Sequence, residues 1–228
     1  MILDKRADLG HGDVKKLLFS LSVPTITSQI VNMLYNLVDR VFIGHMQPAE
    51  TVGKLALTGV GVCLPIIMVI SAFASLMAIG GAPRASIAEG AGESEKSERI
   101  MGNCLTMLLI TALVLTVLFE SFAEPLLLMF GASENTIGYA LDYMRIYALG
   151  TIFVQLTLGM NAYITAQGFA TVSMKTVLIG ALLNTALDPL FIFVLGLGVR
   201  GAALATVISQ AVSAVWVMTF LTGKKTRW

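Results

Sequence analysis

The sequence predicts an all-α membrane protein, built as a bundle of six transmembrane helices. Of the 228 residues, 56% are hydrophobic and only 13% are charged, whereas about a quarter of a soluble domain is charged. The mean hydropathy is +0.82. Apolar runs also recur along the chain, and many reach the ~20 residues that a helix needs to cross the hydrocarbon core. Together these features indicate a polytopic membrane protein.

Each of six apolar runs is predicted to be one transmembrane helix. The runs cover 17–43, 55–80, 100–121, 137–164, 174–195 and 201–222. The polar residues 1–16 are expected to lie at the membrane surface, 17–223 to form the six-helix domain, and 224–228 to form a tail. The segment 83–99, PRASIAEGAGESEKSER, is predicted to be the longest polar loop. The other connections are predicted to be short.

Small residues inside the runs are typical of helices that pack closely in lipid, where burial of apolar surface alone gives little driving force. They are Gly59, Gly61, Gly80, Gly81, Gly201, Ala202, Ala203 and Ala205.

Basic residues at the ends of the runs predict the orientation in the cytoplasmic membrane. By the positive-inside rule, the end of the bundle that carries most of them is cytoplasmic, and an even number of runs places both termini there. The opposite end has few basic residues and the acids Glu50, Glu124 and Glu134. The residues that set this asymmetry are Lys5, Arg6, Lys15, Lys16, Arg84, Lys96, Arg99, Lys175, Lys224, Lys225 and Arg227.

Several classes of function are disfavoured. The net charge of +1 and the lack of a basic patch interleaved with aromatic residues argue against nucleic-acid binding. Cys63 and Cys104 fall inside apolar runs and are expected to be buried free thiols. The sequence has no Ser/His pair, paired metal-binding histidines or GxSxG-like motif, so we do not expect an enzyme.

The first run contains an acid in apolar surroundings. The stretch SLSVPTITSQIVNMLYNLVDRVFIG, from Ser20 to Gly44, includes Asp39. A charge in hydrocarbon costs at least a few kcal/mol, so an intramembrane carboxylate is a functional-site hypothesis by default. The alternative is that Asp39 lies at the membrane edge and pairs with Arg40.

The fifth run contains a second polar cluster, LLNTALDPLFIF. Asn184 and Asp188 are four residues apart and share one helix face. Pro189 is expected to disrupt the helix and to free the carbonyl of Thr185. Carboxylate, amide and carbonyl oxygens are ligands that a small hard cation accepts. The alternative is a structural kink in which Asp188 bonds to a neighbouring helix.

Two runs with one acid each favour a shared cation site over two structural acids. Desolvation and a neighbouring carboxylate both disfavour the charged form, so such a pair tends to take up a proton or a cation. Basic partners are scarce, and Arg145 is predicted to pair with Asp142, three residues before it. Further polar side chains would complete a hydrophilic pocket or, alternatively, form hydrogen bonds between helices. They are Tyr143, Gln155, Asn161 and Thr206.

The motifs, taken together, resemble the N-terminal half of the multidrug and toxic compound extrusion (MATE) transporters. The resemblance covers nearly the whole chain in the order of the family. It is carried by MLYNLVDRVFIGH, ALTGVG, IAEGAGESEK, AQGF, LNTALDPLFIF and GLGVRGAALATVIS.

The resemblance implies that the chain is one lobe of a twelve-helix transporter, in which two six-helix bundles face each other across a cleft. Such a transporter exports small organic, often cationic, compounds, and inward flow of H⁺ or Na⁺ drives the export. The expected partners are these substrates, membrane lipid and a second six-helix lobe. No cofactor is expected besides the coupling ion. Because the chain ends after the sixth run, we expect a fragment rather than a self-assembling half.

The resemblance also assigns site residues. The acid of the first helix corresponds to Asp39, and the asparagine and acid of the fifth helix correspond to Asn184 and Asp188. The tyrosine of the fourth helix corresponds to Tyr143, and the threonine of the sixth to Thr206.

From the residues and the resemblance together, Asp39, Asn184 and Asp188 are candidate ligands of Na⁺. Pro24 and Pro189 are candidate hinges. Two other functions remain as alternatives. One is a lipid-linked sugar flippase of the wider superfamily, and the other is a non-transporting scaffold or partner subunit.

Overall fold

The computed structural model describes residues 13–223, which form eight α-helices and two short π-helical segments. The π-helical segments are Ala49–Gly53 and Leu190–Val194. In chain order the α-helices are α1 (Val14–Gly44), α2 (Lys54–Val62), α3 (Leu64–Gly90), α4 (Ser94–Met129), α5 (Ile137–Leu149), α6 (Thr151–Ala166), α7 (Ala170–Pro189) and α8 (Val199–Leu221).

The helices can cross a membrane six times, as the sequence predicted. Five stretches are long and apolar enough by themselves: α1, α4, α8, the stretch Thr51–Gly90 with α2 and α3, and the stretch Ala170–Val194 with α7. The sixth crossing combines α5 and α6, which are bent by 57° relative to each other. The all-α fold class is therefore confirmed for the described residues.

The prediction of one continuous helix over 137–164 was wrong, because the chain breaks at Gly150. A Cβ atom at Gly150 would lie 2.4 Å from a methyl carbon of Val207 in α8. The bend therefore packs against α8 at a distance that only glycine allows. Helix α6 follows this bend, and Val154 and Thr157 in its first two turns line a cavity of the bundle.

The prediction of a long loop over 83–99 was also wrong. Only residues 91–93 lie outside the helices there, and α3 and α4 extend well beyond the apolar runs. The segment is rich in Ala, Glu, Lys and Arg, which favour helix even outside the membrane. An ion pair between Arg99 and Glu95, at 2.6 Å, supports the first turns of α4. The polar composition of this segment therefore did not mark the end of a helix.

The third run likewise continues beyond its predicted end, to Met129. The backbone of Phe122 departs from helical geometry with φ −120° and ψ 19°, and Pro125 follows three residues later. A proline inside a helix removes a hydrogen bond and clashes with the preceding turn. The chain therefore kinks where the sequence predicted a connection.

The bundle is arranged around α8 and α3. Helix α8 packs against α5, α6 and α7, whereas α3 packs against α4 and α6. Helix α1 packs mainly on α7, and of its 31 residues only Pro24, Asp39 and Ile43 are buried. One long helix is thus attached to the bundle along a single side.

The small residues of the runs have different roles. A Cβ atom at Gly201 would lie 2.7 Å from the backbone carbonyl of Phe191, so this glycine allows close packing of α8 on the second π-helical segment. By contrast, a Cβ atom at Gly61 or Gly80 would meet nothing within 4 Å. The packing role predicted for those two glycines was therefore wrong.

Some sequence predictions fall outside the described residues. Most of the segment 1–16 and the tail 224–228 are among them, although the carboxylate of Asp13 caps α1 by accepting from the backbone N–H of Lys15 at 2.9 Å. Both cysteines are free thiols, with Cys63 buried and Cys104 half-buried.

Candidate functional site

A cavity of about 220 Å³ lies between α1 and the rest of the bundle. Residues from α1, α2, α3, α5, α6, α7 and α8 line it. Four of the five residues assigned to the site in the sequence line this cavity, and the fifth, Asp188, lies directly behind two of them. The four lining residues are Asp39, Tyr143, Asn184 and Thr206.

Helix α1 contributes one polar face to the cavity. Asn32, Tyr35, Asn36 and Asp39 all line it, and their spacing of three and four residues places them on one side of the helix. Asp39 is only 8% exposed although most of α1 is not buried. The carboxylate therefore points into the bundle and does not lie at an exposed edge of the helix.

Helix α7 places its asparagine and acid one turn apart, as the spacing predicted. The side-chain amide of Asn184 donates to Asp188 Oδ1 at 3.2 Å and to Thr206 Oγ1 of α8 at 3.4 Å. Both residues of α7 are buried. Because Asn184 donates through its nitrogen, its oxygen remains available to a cation.

The two carboxyl groups meet between α1 and α7. Asp188 is fully buried, and its side chain is close enough to Asp39 for a carboxyl–carboxyl hydrogen bond. Oδ1 of Asp39 and Oδ2 of Asp188 receive no hydrogen bond from the described residues. Two carboxylates in this arrangement repel each other unless a proton or a cation lies between them.

Two tyrosines of α5 form a wall of the cavity. The rings of Tyr143 and Tyr147 stack with centroids 5.9 Å apart, and both side chains are buried. The hydroxyl of Tyr143 lies within hydrogen-bonding reach of Thr206. Tyr143 therefore connects α5 to the hydroxyl that also contacts Asn184.

A basic side chain lies near the carboxyl pair. Arg40 lines the same cavity and is exposed. Within the described part of the chain, no ion pair joins Arg40 to Asp39. Arg40 therefore acts on Asp39 as a nearby positive charge and does not neutralise it by direct contact.

The partner predicted for Asp142 was wrong. Asp142 Oδ1 accepts a hydrogen bond from the guanidinium of Arg200 at 2.8 Å, and both side chains are substantially exposed. Arg200 begins α8, which packs against α5, so tertiary contact brings this pair together. The neighbouring Arg145 does not form the ion pair that its spacing suggested.

Gln155 and Asn161 do not belong to the cavity. The amide of Gln155 donates to the carbonyl of Ile70 at 2.9 Å, and that of Asn161 donates to the carbonyl of Ser173 at 3.3 Å. These are hydrogen bonds between helices, the alternative considered for each residue. Their role is to hold the bundle together.

Sequence reasoning missed most of the neutral polar lining. The cavity is also lined by Tyr35, Thr157, Thr176, Ser209, Gln210 and Ser213. A signal was present in the last run, where Thr206, Ser209, Gln210 and Ser213 recur at the spacing of one helix face. A polar face on a buried apolar helix indicates that something other than lipid or apolar core lies against it.

The oxygen atoms near the carboxyl pair suit a small hard cation. Asp39 Oδ1, Asn184 Oδ1 and Asp188 Oδ2 are buried and accept no hydrogen bond from the described residues. Hard monovalent and divalent cations prefer such ligands. Within residues 13–223, no group of three or more His, Cys, Asp or Glu side chains is placed to hold a metal ion. The three free donors near the carboxyl pair are all oxygen atoms, which suit a hard cation such as Na⁺ better than a soft transition metal.

The two prolines differ in their local structure. Pro24 is buried in the middle of α1, which continues as one helix on both sides of it. Pro189 ends α7, and the chain continues as the π-helical segment Leu190–Val194. The helical hydrogen-bond pattern thus changes directly after Pro189, two residues after Asp188. Movement at either proline stays a prediction.

Comparisons with known proteins agree on one family. The MatE family matches residues 24–190. The multidrug export protein MepA of Staphylococcus haemolyticus (strain JCSC1435) is 30% identical over 214 residues, which is 94% of this chain and 46% of that protein. The chain therefore spans about half the length of this curated relative.

The chain also matches about half the length of solved structures. A structure described as protein A superposes with a TM-score of 0.90 at 36% identity, covering 98% of this chain and 49% of its own. Two MATE structures, one in a bent and one in a straight conformation, each superpose with a TM-score of 0.86 at 29% identity. They cover 95% of this chain and 47% of their own.

Proposed function

The chain belongs to the MatE family, and we propose on that premise that it is the N-terminal six-helix lobe of a cation-coupled antiporter. The complete transporter would export small organic, often cationic, compounds across the cytoplasmic membrane. The similarity to a multidrug export protein supports this proposal, as does the half-length coverage of the solved relatives. A second lobe, on the same chain or on another copy, would supply the other wall of the cleft.

The observation that carries the proposal is the contact between the carboxyl groups of Asp39 and Asp188. One belongs to α1, which packs mainly on α7, and the other to α7, which also packs against α6 and α8. If a cation binds between the two carboxyl groups, the position of α1 relative to α7 depends on whether that site is occupied. Asn184, Thr206 and Tyr143 would orient the two carboxyl groups.

Coupling then follows from differential affinity. A cation can shift the lobe between two conformations only if it binds one of them more tightly, and the reciprocal effect on substrate affinity is required by linkage. Neutralising the pair with H⁺ or Na⁺ would let α1 approach α7 and narrow the cavity. Substrate would be expelled on that movement, and release of the cation would reset the lobe.

Pro24 is the candidate hinge for this movement. It lies fifteen residues before Asp39 in α1, about four helical turns away, and proline removes one hydrogen bond of the helix. Two solved relatives, described as MATE in the bent and in the straight conformation, support a change of shape in this family. Pro189 would play a smaller part, next to the acid of α7.

The proposed orientation follows the basic residues at the ends of the spans. Both termini would lie in the cytoplasm, so the carboxyl pair, near the ends of α1 and α7, would lie in the outer half of the membrane. Inward flow of the cation would begin at this end.

The test is Asp39→Asn in the full-length transporter. This substitution keeps the shape of the side chain but removes its charge, so drug resistance of the cells should fall to the level of cells without the transporter. Expression in the membrane should be unchanged. Minimum inhibitory concentrations and an immunoblot of membranes would measure both.

Asp142→Asn is the matched control. Asp142 is also an acid of the bundle, but it is exposed, pairs with Arg200 and does not line the cavity. Its replacement should leave resistance unchanged. Normal efflux by Asp39→Asn, at normal expression, would refute the proposed coupling.

The alternatives make different predictions. A lipid-linked sugar flippase is expected to hold basic residues in its cavity for a pyrophosphate, and Arg40 is the feature that favours it. Arg40→Gln would then abolish function, whereas the antiporter proposal expects a smaller effect. A scaffold without transport activity would tolerate simultaneous Asp39→Asn and Asp188→Asn.

A further inference from the structure

An open groove of about 790 Å³ lies between the last turns of α3 and the first turns of α4. On α3 its lining runs from Leu76 to Ala88, and on α4 from Lys96 to Cys104. These stretches of twelve and eight residues correspond to ~18 Å and ~12 Å of helix, at 1.5 Å per residue. The groove shares no lining residue with the cavity that contains Asp39. It is therefore a separate surface of the bundle.

The groove is apolar at one end and charged at the other. Leu76, Met77 and Ile100 line the end that lies within the apolar runs of the sequence. Arg84 and Lys96 line the other end, in the polar segment 83–99. The groove thus extends from the depth of the hydrocarbon core to that of the headgroups. A phospholipid changes from apolar to charged over the same boundary.

The charged end of the groove favours an anion. Arg84 is exposed, and within residues 13–223 no acid forms an ion pair with it. Lys96 pairs with Glu93 at 2.7 Å, but both side chains are largely exposed, and exposed pairs contribute little free energy. Lys96 can therefore exchange this carboxylate for a phosphate. Two basic side chains and one acid leave the charged end with a net positive charge.

The beginning of α4 adds partial positive charge at the same end. Glu93 and Lys96, on either side of the helix start, both line the groove. The side chain of Glu93 does not cap the helix. The first backbone N–H groups of a helix carry partial positive charge, so they reinforce the attraction of the two basic residues for an anion.

Two neighbouring glycines shape the apolar end. A Cβ atom at Gly81 would collide with Cys104 Sγ and with the hydroxyl of Tyr163, so α3 packs closely on α4 and α6 there. A Cβ atom at Gly80 would meet nothing within 4 Å, and Gly80 lines the groove. Gly81 thus allows the close packing beneath the groove, whereas Gly80 adds no side chain that would fill it.

Hydrogen bonds between helices hold the walls of the groove in place. The buried hydroxyl of Ser97 in α4 donates to the carbonyl of Ala85 in α3 at 2.9 Å. The hydroxyl of Ser86 in α3 donates to the carbonyl of Ala166, at the end of α6, at 3.0 Å. The groove is therefore formed before a ligand binds, which lowers the entropic cost of binding.

We propose that this groove binds one anionic phospholipid. Its phosphate lies on Arg84 and Lys96, and an acyl chain lies along Leu76, Met77 and Gly80. Basic pockets between membrane helices bind anionic headgroups in this way. With the orientation proposed above, the lipid belongs to the cytoplasmic leaflet. The site is independent of the proposed coupling, because it contains neither carboxyl group of the pair.

The test is the binding of defined lipids to the purified chain in detergent, followed by native mass spectrometry. Dioleoylphosphatidylglycerol is the anionic probe, and dioleoylphosphatidylcholine is the zwitterionic lipid with the same acyl chains. The first phosphatidylglycerol should bind on the order of tenfold more tightly than the first phosphatidylcholine. Arg84→Gln and Lys96→Gln should each weaken phosphatidylglycerol binding by about fivefold, the usual effect of one basic residue near an anionic membrane surface. The double variant should bind both lipids alike.

Arg99→Gln is the matched control for charge. Arg99 is also an exposed basic residue in the first turns of α4, but it pairs with Glu95 and does not line the groove. Its replacement should leave the affinity for phosphatidylglycerol unchanged. A double variant of Arg84 and Lys96 that keeps the preference for phosphatidylglycerol would overturn the proposal.

Gly80→Leu tests the apolar end of the groove without a change in charge. The added side chain occupies the path of the acyl chain, so tight binding of the first phosphatidylglycerol should be lost. Gly102→Leu is the control, because a Cβ atom at Gly102 also meets nothing within 4 Å but Gly102 does not line the groove. Equal lipid binding by the two variants would contradict a site in this groove.

The same pair of glycine variants in the full-length transporter distinguishes lipid from a second lobe. If lipid occupies the groove, Gly80→Leu should remove one tightly bound phosphatidylglycerol there too. If the second lobe covers the groove, Gly80→Leu will leave lipid binding unchanged, and the proposal is refuted. Binding is measured without transport, so normal efflux by Asp39→Asn would refute the coupling and leave the lipid site untouched.

Discussion

Helices α1 and α8 face the same cavity but are held in opposite ways. In α1 only three of 31 residues are buried, and one of them is the carboxylate of Asp39. In α8 ten of 23 residues are buried, most of them small. A helix with few buried side chains can move at lower cost than one whose residues are closely packed on several sides. The carboxyl pair joins α1 to α7, and Asn184 continues the link to Thr206 of the closely packed α8.

Helices α1 and α8 also differ in the kind of apolar side chain that they carry. Large side chains of α1 such as Met33 and Leu18 are exposed, as expected for a face that meets lipid or another lobe. The buried side chains of α8 are mostly alanine, glycine and serine, which bring backbones close together. Close packing of small residues, not apolar character, distinguishes α8.

The largest expected effect on stability is in α8. Gly201→Ala puts a Cβ atom against the backbone of Phe191, which cannot move aside as a side chain could. We expect a loss of about 1–3 kcal/mol, the range for overpacking a core. Thermal unfolding of the purified chain in detergent measures it.

Gly102→Ala is the matched control for that prediction. A Cβ atom at Gly102 in α4 would meet nothing within 4 Å, so the same substitution should be neutral or should stabilise by up to ~1 kcal/mol through helix propensity. Equal melting temperatures for the two variants would show that α8 is not fixed by close packing.

Pro24→Ala tests the movable helix. Alanine restores the backbone donor in the middle of α1, so we expect a gain of about 1 kcal/mol or more in stability. If Pro24 is the hinge, efflux by the full-length transporter should fall at the same time, by roughly tenfold, since a stiffer α1 bends less. Higher stability with normal efflux would remove Pro24 from the mechanism.

The smallest effect is expected at the exposed face of α1. Met33 is 74% exposed and is not a cavity residue. Met33→Ala should change the stability of the described lobe by less than ~0.5 kcal/mol, as for most surface substitutions. A larger loss in the full-length protein than in this chain would indicate that a second lobe covers Met33.

The sequence predicted the membrane class, the six crossings and the residues that gather near the cavity. It could do so because apolar run length and intramembrane acids are local signals, visible without tertiary structure. Because a charged carboxylate in hydrocarbon is costly, Asp39 and Asp188 were predicted to share one site. The structure places their side chains in contact. Their role as a cation site stays a prediction.

Features that depend on neighbouring helices were not predictable in this way. At the break, Gly150 packs closely against Val207, a residue of α8. The ion pair of Asp142 with Arg200 joins residues that are 58 positions apart in the sequence. The polar lining at Ser209 and Gln210 was visible as a periodic pattern, but its meaning depends on the cavity beside it. The segment 83–99 was misjudged because a polar composition does not distinguish a helix outside the membrane from a loop.

The most direct test of the shared cation site is a measurement of cation binding by the purified chain in lipid nanodiscs. Retention of ²²Na⁺ and proton uptake, followed with an indicator dye, cover both candidate ions. Because the two carboxyl groups are proposed to form one site, Asp39→Asn and Asp188→Asn should each abolish binding of the whole cation, while Asp142→Asn binds normally. Undiminished binding by either of the first two variants would contradict the shared site.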